Sequence, residues 1–207
     1  MPDLNKTYLY RMTHIENIPH ILQYGITHVD SSNANPEYIT IGDNSLISRR
    51  DGFALPNGRR LGEYNPFYFG VRMPMLYVIQ NGFNVVKVTP AEEIVYCITS
   101  VQQIITSHLN FLFADGHAVD SFSSFYSFAD IDNIDQLIDQ NAIKSTYWKD
   151  EKDLDLKRRK EAEFLVGNDI PSAAILGFAV YNKSSKNRLI NFGIAEKQII
   201  IRTDFYF

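Results

Sequence analysis

The 207-residue sequence predicts an α+β fold of mixed strands, short helices and long loops, on three observations. Segments rich in β-branched and aromatic residues are interspersed with short helical patterns, without the regular strand–helix–strand rhythm of a doubly wound sheet. No Gly-x-Gly-x-x-Gly or Gly-x-x-x-x-Gly-Lys-Ser/Thr run follows a strand-like segment, so neither common nucleotide-binding α/β signature is present. The stretch Val29–Gly62 is full of Asn, Asp, Gly, Ser and Pro and lacks periodicity; a segment of that kind is more often a functional loop than an idle connection. With no internal repeat or low-complexity linker, the chain reads as one domain over residues 1–207.

Thr7–Thr13 carries β-formers and reads as a first strand. A short helix follows, with Asn17 as N-cap, Pro19 in the first turn, Gly25 as the stop and Ile18, Ile21 and Leu22 as its buried stripe. Thr13-x-x-Glu16 has capping-box spacing, but that start would set Pro19 too deep in the helix. Phe83–Thr89 and Glu93–Thr99 read as strands joined at Pro90, and Val101–Leu109 as a helix. Ala114–Ser127 reads as loop, Asn133–Gln140 as a short helix, and Ile175–Tyr181 and Gln198–Arg202 as late strands.

The formal charge of −4, from 20 basic and 24 acidic residues, argues against a protein that coats nucleic acid generally, while leaving room for a local basic groove. The single cysteine, Cys97, sits in an apolar run and reads as core filler, so nothing points to an oxidising compartment. No apolar stretch approaches the ~20 residues of a bilayer span, and no leader pattern opens the chain, so a cytoplasmic protein with no membrane partner is expected. The five histidines and the cysteine have no zinc-site spacing, and no metal is expected.

Four segments stand out as candidates for chemistry: Tyr10–His14, Ser48–Asp51, Gly62–Met75 and Lys157–Val166, with Asp115-Gly-His117 as a smaller fifth. Each has a plain alternative. His14 can serve a helix start, Arg49-Arg50 can be a solvated pair, and Phe67-Tyr68-Phe69 can be core. Lys157–Lys160 can be an exposed helical face pairing Lys157 with Glu161 and Arg159 with Glu163. Residue by residue, these readings support no more than an α+β domain with a nucleotide-binding option.

Taken jointly, the motifs resemble the DarT family, toxins that ADP-ribosylate single-stranded DNA. The resemblance is carried by Tyr10-x-x-Thr-His14 with Asn17-Ile-Pro-x-Ile-Leu, by Arg49-Arg50, and by Gly62-x-x-Tyr-x-Pro-Phe-Tyr-Phe-Gly-x-Arg-x-Pro-Met75. Phe111-x-Phe-x-Asp-Gly-His117 and Ala162-Glu163-Phe-Leu-Val complete it. It implies an ADP-ribosyltransferase-like fold, central mixed β-sheets with long active-site loops, and NAD⁺ as substrate. It also implies single-stranded DNA as acceptor, with thymine or guanine as the base, and a partner antitoxin that removes the ADP-ribose. By the same resemblance Glu163 and Arg50 are the catalytic residues. Tyr10, Arg11, Thr13, His14, Arg50 and Tyr68 contact NAD⁺, and Arg49, Tyr68, Arg72, Met75 and His117 bind substrate, the last four near the nicotinamide pocket or the DNA groove. Arg11 stands where many relatives have histidine.

The chemistry suits these residue types. Breaking the nicotinamide–ribose bond builds positive charge on the ribose, and a carboxylate on the neighbouring 2′-hydroxyl tightens its grip as that charge grows. A duplex hides the reactive edge of a base, so a single strand or a flipped nucleotide is required. Tyr64, Phe67, Tyr68 and Phe69, interleaved with Arg59, Arg60 and Arg72, read as a stacking and phosphate-binding groove. Two other activities share this reading: an NAD⁺-dependent transferase acting on protein or an RNA 2′-phosphate, and a non-catalytic single-strand-binding module. A Glu163→Ala variant is expected to lose transfer and keep its fold.

Overall fold

β-branched and aromatic residues at Tyr8–His14 form β1, and the apolar run Ile94–Ser100 forms β3, its partner along all seven residues of β1. The computed structural model describes the backbone of residues 1–207 and every side chain except that of Val85. Between these two strands come α1 (Ile18–Tyr24), α2 (Asn44–Gly52), β2 (Tyr64–Tyr68) and α3 (Pro74–Asn81). Then follow α4 (Val101–Thr106), β4 (Phe111–Ala114), β5 (Phe125–Tyr126), α5 (Ile134–Leu137), α6 (Gln140–Lys144) and α7 (Leu156–Lys160). The chain closes with β6 (Glu163–Gly167), β7 (Gly177–Val180), α8 (Lys183–Asn191) and β8 (Ile199–Ile201).

The strands make one eight-stranded sheet in the order β5-β4-β6-β2-β1-β3-β7-β8, antiparallel throughout except for the β7–β8 pair. The mixed α+β expectation holds. The sheet consists of two well-paired halves joined at a narrow seam: β2 matches β6 over five residues, but meets β1 only through Tyr10 and Tyr68. Pro66 has no N–H to offer β1, and the Arg11 guanidinium instead donates to the Pro66 carbonyl at 3.0 Å.

Several expectations shift. The supposed loop Val29–Gly62 contains α2, capped by Asp43, whose Oδ1 accepts the Ser45 N–H at 2.8 Å. Phe83–Thr89 is not a strand: Gly82 ends α3 in the left-handed conformation (φ 70°), and Asn84 is also left-handed (φ 56°). Asn17 precedes α1 without capping it; its amide binds Thr13 Oγ1 and exchanges two hydrogen bonds with the Ile39 backbone, all at 2.9 Å. The helical face expected at Lys157–Glu163 ends at Lys160, so neither Lys157–Glu161 nor Arg159–Glu163 forms an ion pair. Cys97 lies in the core, and burial pushes its thiol up to about 12.

Candidate active site

Glu163 opens β6, a strand whose five residues are all buried, and its own side chain is completely inaccessible. A carboxylate there must be paired and hydrogen-bonded. Oε2 accepts Nη1 of Arg50 at 2.8 Å; Oε1 faces Nδ1 of His117 at 3.0 Å and accepts the Ala118 N–H at 2.9 Å. Burial alone would push this carboxyl up, but the Arg50 charge, His117 and the Ala118 N–H outweigh it and hold it at about 2. Burial likewise disfavours the His117 imidazolium, yet the hydrogen bond and charge of Glu163 raise its pKa above the ordinary value. A carboxylate offers about four acceptor positions, and three are filled, leaving one on Oε2.

Two close approaches fix the partners. Arg50 sits in the last turn of α2, where cations suit the helix dipole, and α2 packs against the turn before β2 at Gly62. A Cβ on Gly62 would lie 2.8 Å from the Asp51 Cα. His117 rides on the loop after β4, where a Cβ on Gly116 would lie 2.9 Å from the Arg158 carbonyl oxygen. Arg158 clamps that loop: its guanidinium binds both Asp155 carboxylate oxygens at 2.7 and 2.9 Å, Asp115 at 2.8 Å and Ser123 Oγ at 3.3 Å.

Two cavities meet at this cluster and share Asp43, Leu46, Tyr68, Met75 and His117 in their walls. The inner one, about 470 Å³, opens at the seam between β1 and β2 and is lined by Arg11, Thr13, Asn17, Tyr38, Arg50 and other residues of the 26–47 segment. Asn17 ties Ile39 of that segment down, and Asp169 holds it by the His28 N–H at 2.8 Å and Ser31 Oγ at 2.5 Å. The outer cavity, about 690 Å³, is lined by Arg49, Lys157, Glu161 and the Val119–Phe122 loop. The arginine pair is thus divided, Arg50 facing the inner space and Arg49 the outer one. Nη2 of Arg50 is buried without a hydrogen-bond partner. Among the described residues, no three His, Cys, Asp or Glu side chains converge as a metal site would require.

Of the expected site residues, the fold gathers Glu163, Arg50, Arg49, Arg11, Thr13, Tyr68, Met75 and His117. Three are elsewhere. Tyr10 packs edge-on against Tyr96 and Phe205; His14 Nε2 faces Glu93 at 3.2 Å while its Nδ1 accepts the Glu16 N–H. Arg72, at φ 52°, stacks on Phe207 at 4.5 Å and lines neither cavity. The expected exposed aromatic groove does not form: Phe67 and Phe69 are core, Tyr64 and Tyr68 are largely buried with an edge on the inner cavity, and Arg59 pairs with Glu63 beside Tyr64. The exposed aromatic beside the outer cavity is Phe122, 82% accessible. Sequence reasoning passed over Phe122, and gave Asn17, Arg158 and Glu161 other roles: a helix cap for Asn17 and a solvated helical face for the two in Lys157–Val166.

Residues 10–207 match the family model described as "ssDNA thymidine ADP-ribosyltransferase, DarT". The structure of Thermus sp. 2.9 DarT in complex with ADP-ribosylated ssDNA superposes with a TM-score of 0.85 at 30% identity, over 100% of this chain and 98% of that one. The same Thermus protein in complex with NAD⁺ gives a TM-score of 0.79 at 32% identity, over 100% and 99%. A DNA ADP-ribosyl transferase–DNA ADP-ribosyl glycohydrolase fusion protein of Thermosipho africanus is 32% identical, covering 76% of this chain and 38% of the fusion.

Proposed function

This chain belongs to the DarT family, and from that premise we propose that it transfers ADP-ribose from NAD⁺ to a base of single-stranded DNA, releasing nicotinamide, as the toxin of a toxin–antitoxin pair. The observation that carries this reading is the buried Glu163–Arg50–His117 cluster at the junction of two cavities. One cavity suits each substrate: NAD⁺ in the inner, a nucleotide of the strand in the outer.

As the bond to nicotinamide breaks, positive charge grows on the ribose, and the free acceptor position on Glu163 Oε2 takes a ribose hydroxyl that becomes more acidic. The carboxylate sits in a dry, fixed environment where such stabilisation is strongest. Nicotinamide leaves as a neutral molecule, so its departure calls for no metal. The unpartnered Nη2 of Arg50 supplies a charged donor for an oxygen of either substrate. Arg11 and Thr13 serve NAD⁺ from the inner cavity; Arg49 and Lys157 meet the strand phosphates and Phe122 stacks on a base at the outer one. Tyr10, His14 and Arg72 stay outside this contact set and support the strands beneath it.

Thymidine, the nucleoside named for the family, is the acceptor in this reading. The partner is a glycohydrolase that removes the adduct, which the Thermosipho fusion supports by joining both activities in one chain. The eight-stranded sheet serves as one catalytic domain, and the site of action is the cytoplasm, where DNA and NAD⁺ meet; no described helix is long and apolar enough to cross a membrane.

The test is incubation of the purified protein with NAD⁺ and a mixed-sequence single-stranded oligonucleotide. A mass gain of one ADP-ribose, mapped by fragmentation to thymidine, is expected. An adduct on guanine corrects the base, and modification of protein alone, or binding without nicotinamide release, removes the proposal.

A further inference from the structure

The site holds a second carboxylate that the steps above leave idle. Glu161, just after α7, is only 8% exposed, lines the outer cavity, and makes no side-chain hydrogen bond or ion pair among the described residues. The other acids around the His117 loop are engaged: Glu163 by Arg50 and His117, Asp115 and Asp155 by Arg158, and Asp120 by the Phe122 N–H. Its oxygens are not among the buried polar atoms left without a partner, so the Glu161 carboxylate opens onto the cavity, free for a group that the substrate brings.

A base that forms a new bond through a ring nitrogen bearing hydrogen must lose that proton. Arg50 cannot take it, because arginine stays protonated in proteins. Glu163 has its oxygens turned to Arg50, His117 and the ribose. His117 is drawn toward its cationic form by Glu163.

We propose that Glu161 is the general base that takes the ring N–H proton of the acceptor nucleobase in the outer cavity. The proposal rests on the two-cavity reading above and deepens it. In the step, the base's N–H bond breaks and the proton passes to a Glu161 oxygen. The freed nitrogen pair forms the bond to the ribose C1′ as the C1′–nicotinamide bond breaks, its electrons leaving with neutral nicotinamide. The proton then passes to solvent through the open cavity. Glu161 is tuned for this transfer, since burial raises its pKa above the ordinary carboxylate value and the nearby Glu163 charge adds to the rise. The charges of His117, Lys157 and Lys160 oppose that rise in part.

The experiment compares wild type, Glu161→Gln and Glu161→Asp on NAD⁺ and a mixed-sequence single-stranded oligonucleotide, reading kcat, KM for NAD⁺ and the pH profile. Glu161→Gln is expected to lower kcat about 100-fold with little change in KM for NAD⁺. Its rate should then climb about tenfold per pH unit above neutrality, as the nucleobase ionises by itself. Glu161→Asp should keep the wild-type profile at an intermediate rate. A Glu161→Gln rate close to wild type, or a loss with no recovery at high pH, overturns the proposal. Absence of any DNA adduct with the wild type strikes instead at the two-cavity reading.

Discussion

The chain holds two histidine–glutamate pairs of similar length, one in each half of the sheet, and they do different work. His14 and Glu93 lie 3.2 Å apart at the start of β3 in the β1-β3-β7-β8 half; Glu93 is 43% accessible, and the pair secures a turn. His117 and Glu163 lie 3.0 Å apart in the β5-β4-β6-β2 half; this glutamate is inaccessible and also bound to Arg50. The residue types are the same and the distances differ by only 0.2 Å. What differs is desolvation and a third partner, which turn one pair into a concentrated, oriented charge and leave the other as a weak surface contact.

The contrast breaks most sharply at the two glutamates. Glu163→Gln is expected to lower transfer about 1,000-fold, in the range lost when one preorganised electrostatic contact goes, while Glu93→Gln changes it little; rates with NAD⁺ and oligonucleotide measure both. Glu163→Ala is a poorer probe than the sequence suggests. It strands Arg50 in the interior, and denaturant unfolding should register a loss of about 3–5 kcal/mol. Next come the arginines that the two cavities divide. Arg50→Ala should cost about 100-fold in kcat, whereas Arg49→Ala should raise KM for DNA and flatten its salt dependence. Equal losses in kcat would show that both serve one substrate.

Acid stability distinguishes the halves next. With its carboxyl at about 2 against an ordinary 4.5, folded Glu163 binds fewer protons than the unfolded chain. Its contribution is therefore present above pH 4.5 and is lost as pH falls toward 2. Unfolding midpoints should drop more steeply over that window for wild type than for Glu163→Gln. The smallest effect is expected at Arg158, a positioning residue acting through the His117 loop. Arg158→Ala should cut kcat about tenfold with KM for NAD⁺ little changed, and Arg158→Lys should restore only part of it, since the bidentate grip on Asp155 is lost.

Legibility in the sequence follows burial. β1, β3 and β7 lie within a residue or two of where their β-formers place them; β3 and β7 are covered almost throughout and carry a continuous apolar signal, while β1 was legible from its β-branched and aromatic residues. α2 left no trace: none of its residues is buried, so no face repeats at helical spacing. β2 hides behind Pro66, and β6 behind the basic run that precedes it. In that run, Lys160 is not on a solvated face. It is buried, its Nζ donating to the Ile143 and Ser145 carbonyls at 3.1 and 2.7 Å, and desolvation pushes it down to about 8. At the site, Glu163 and Arg50 were identified by the joint resemblance of the motifs and not by local pattern. Asn17 and Arg158 work through contacts 22 and 43 residues away, which no local spacing encodes.

Arg49 and Arg50 are neighbours in the last turn of one short helix, about 100° apart around its axis. The helix therefore points one guanidinium toward each compartment. One nine-residue element thus furnishes a guanidinium to each compartment, and replacing either arginine alone removes charge from one of them while leaving it in the other.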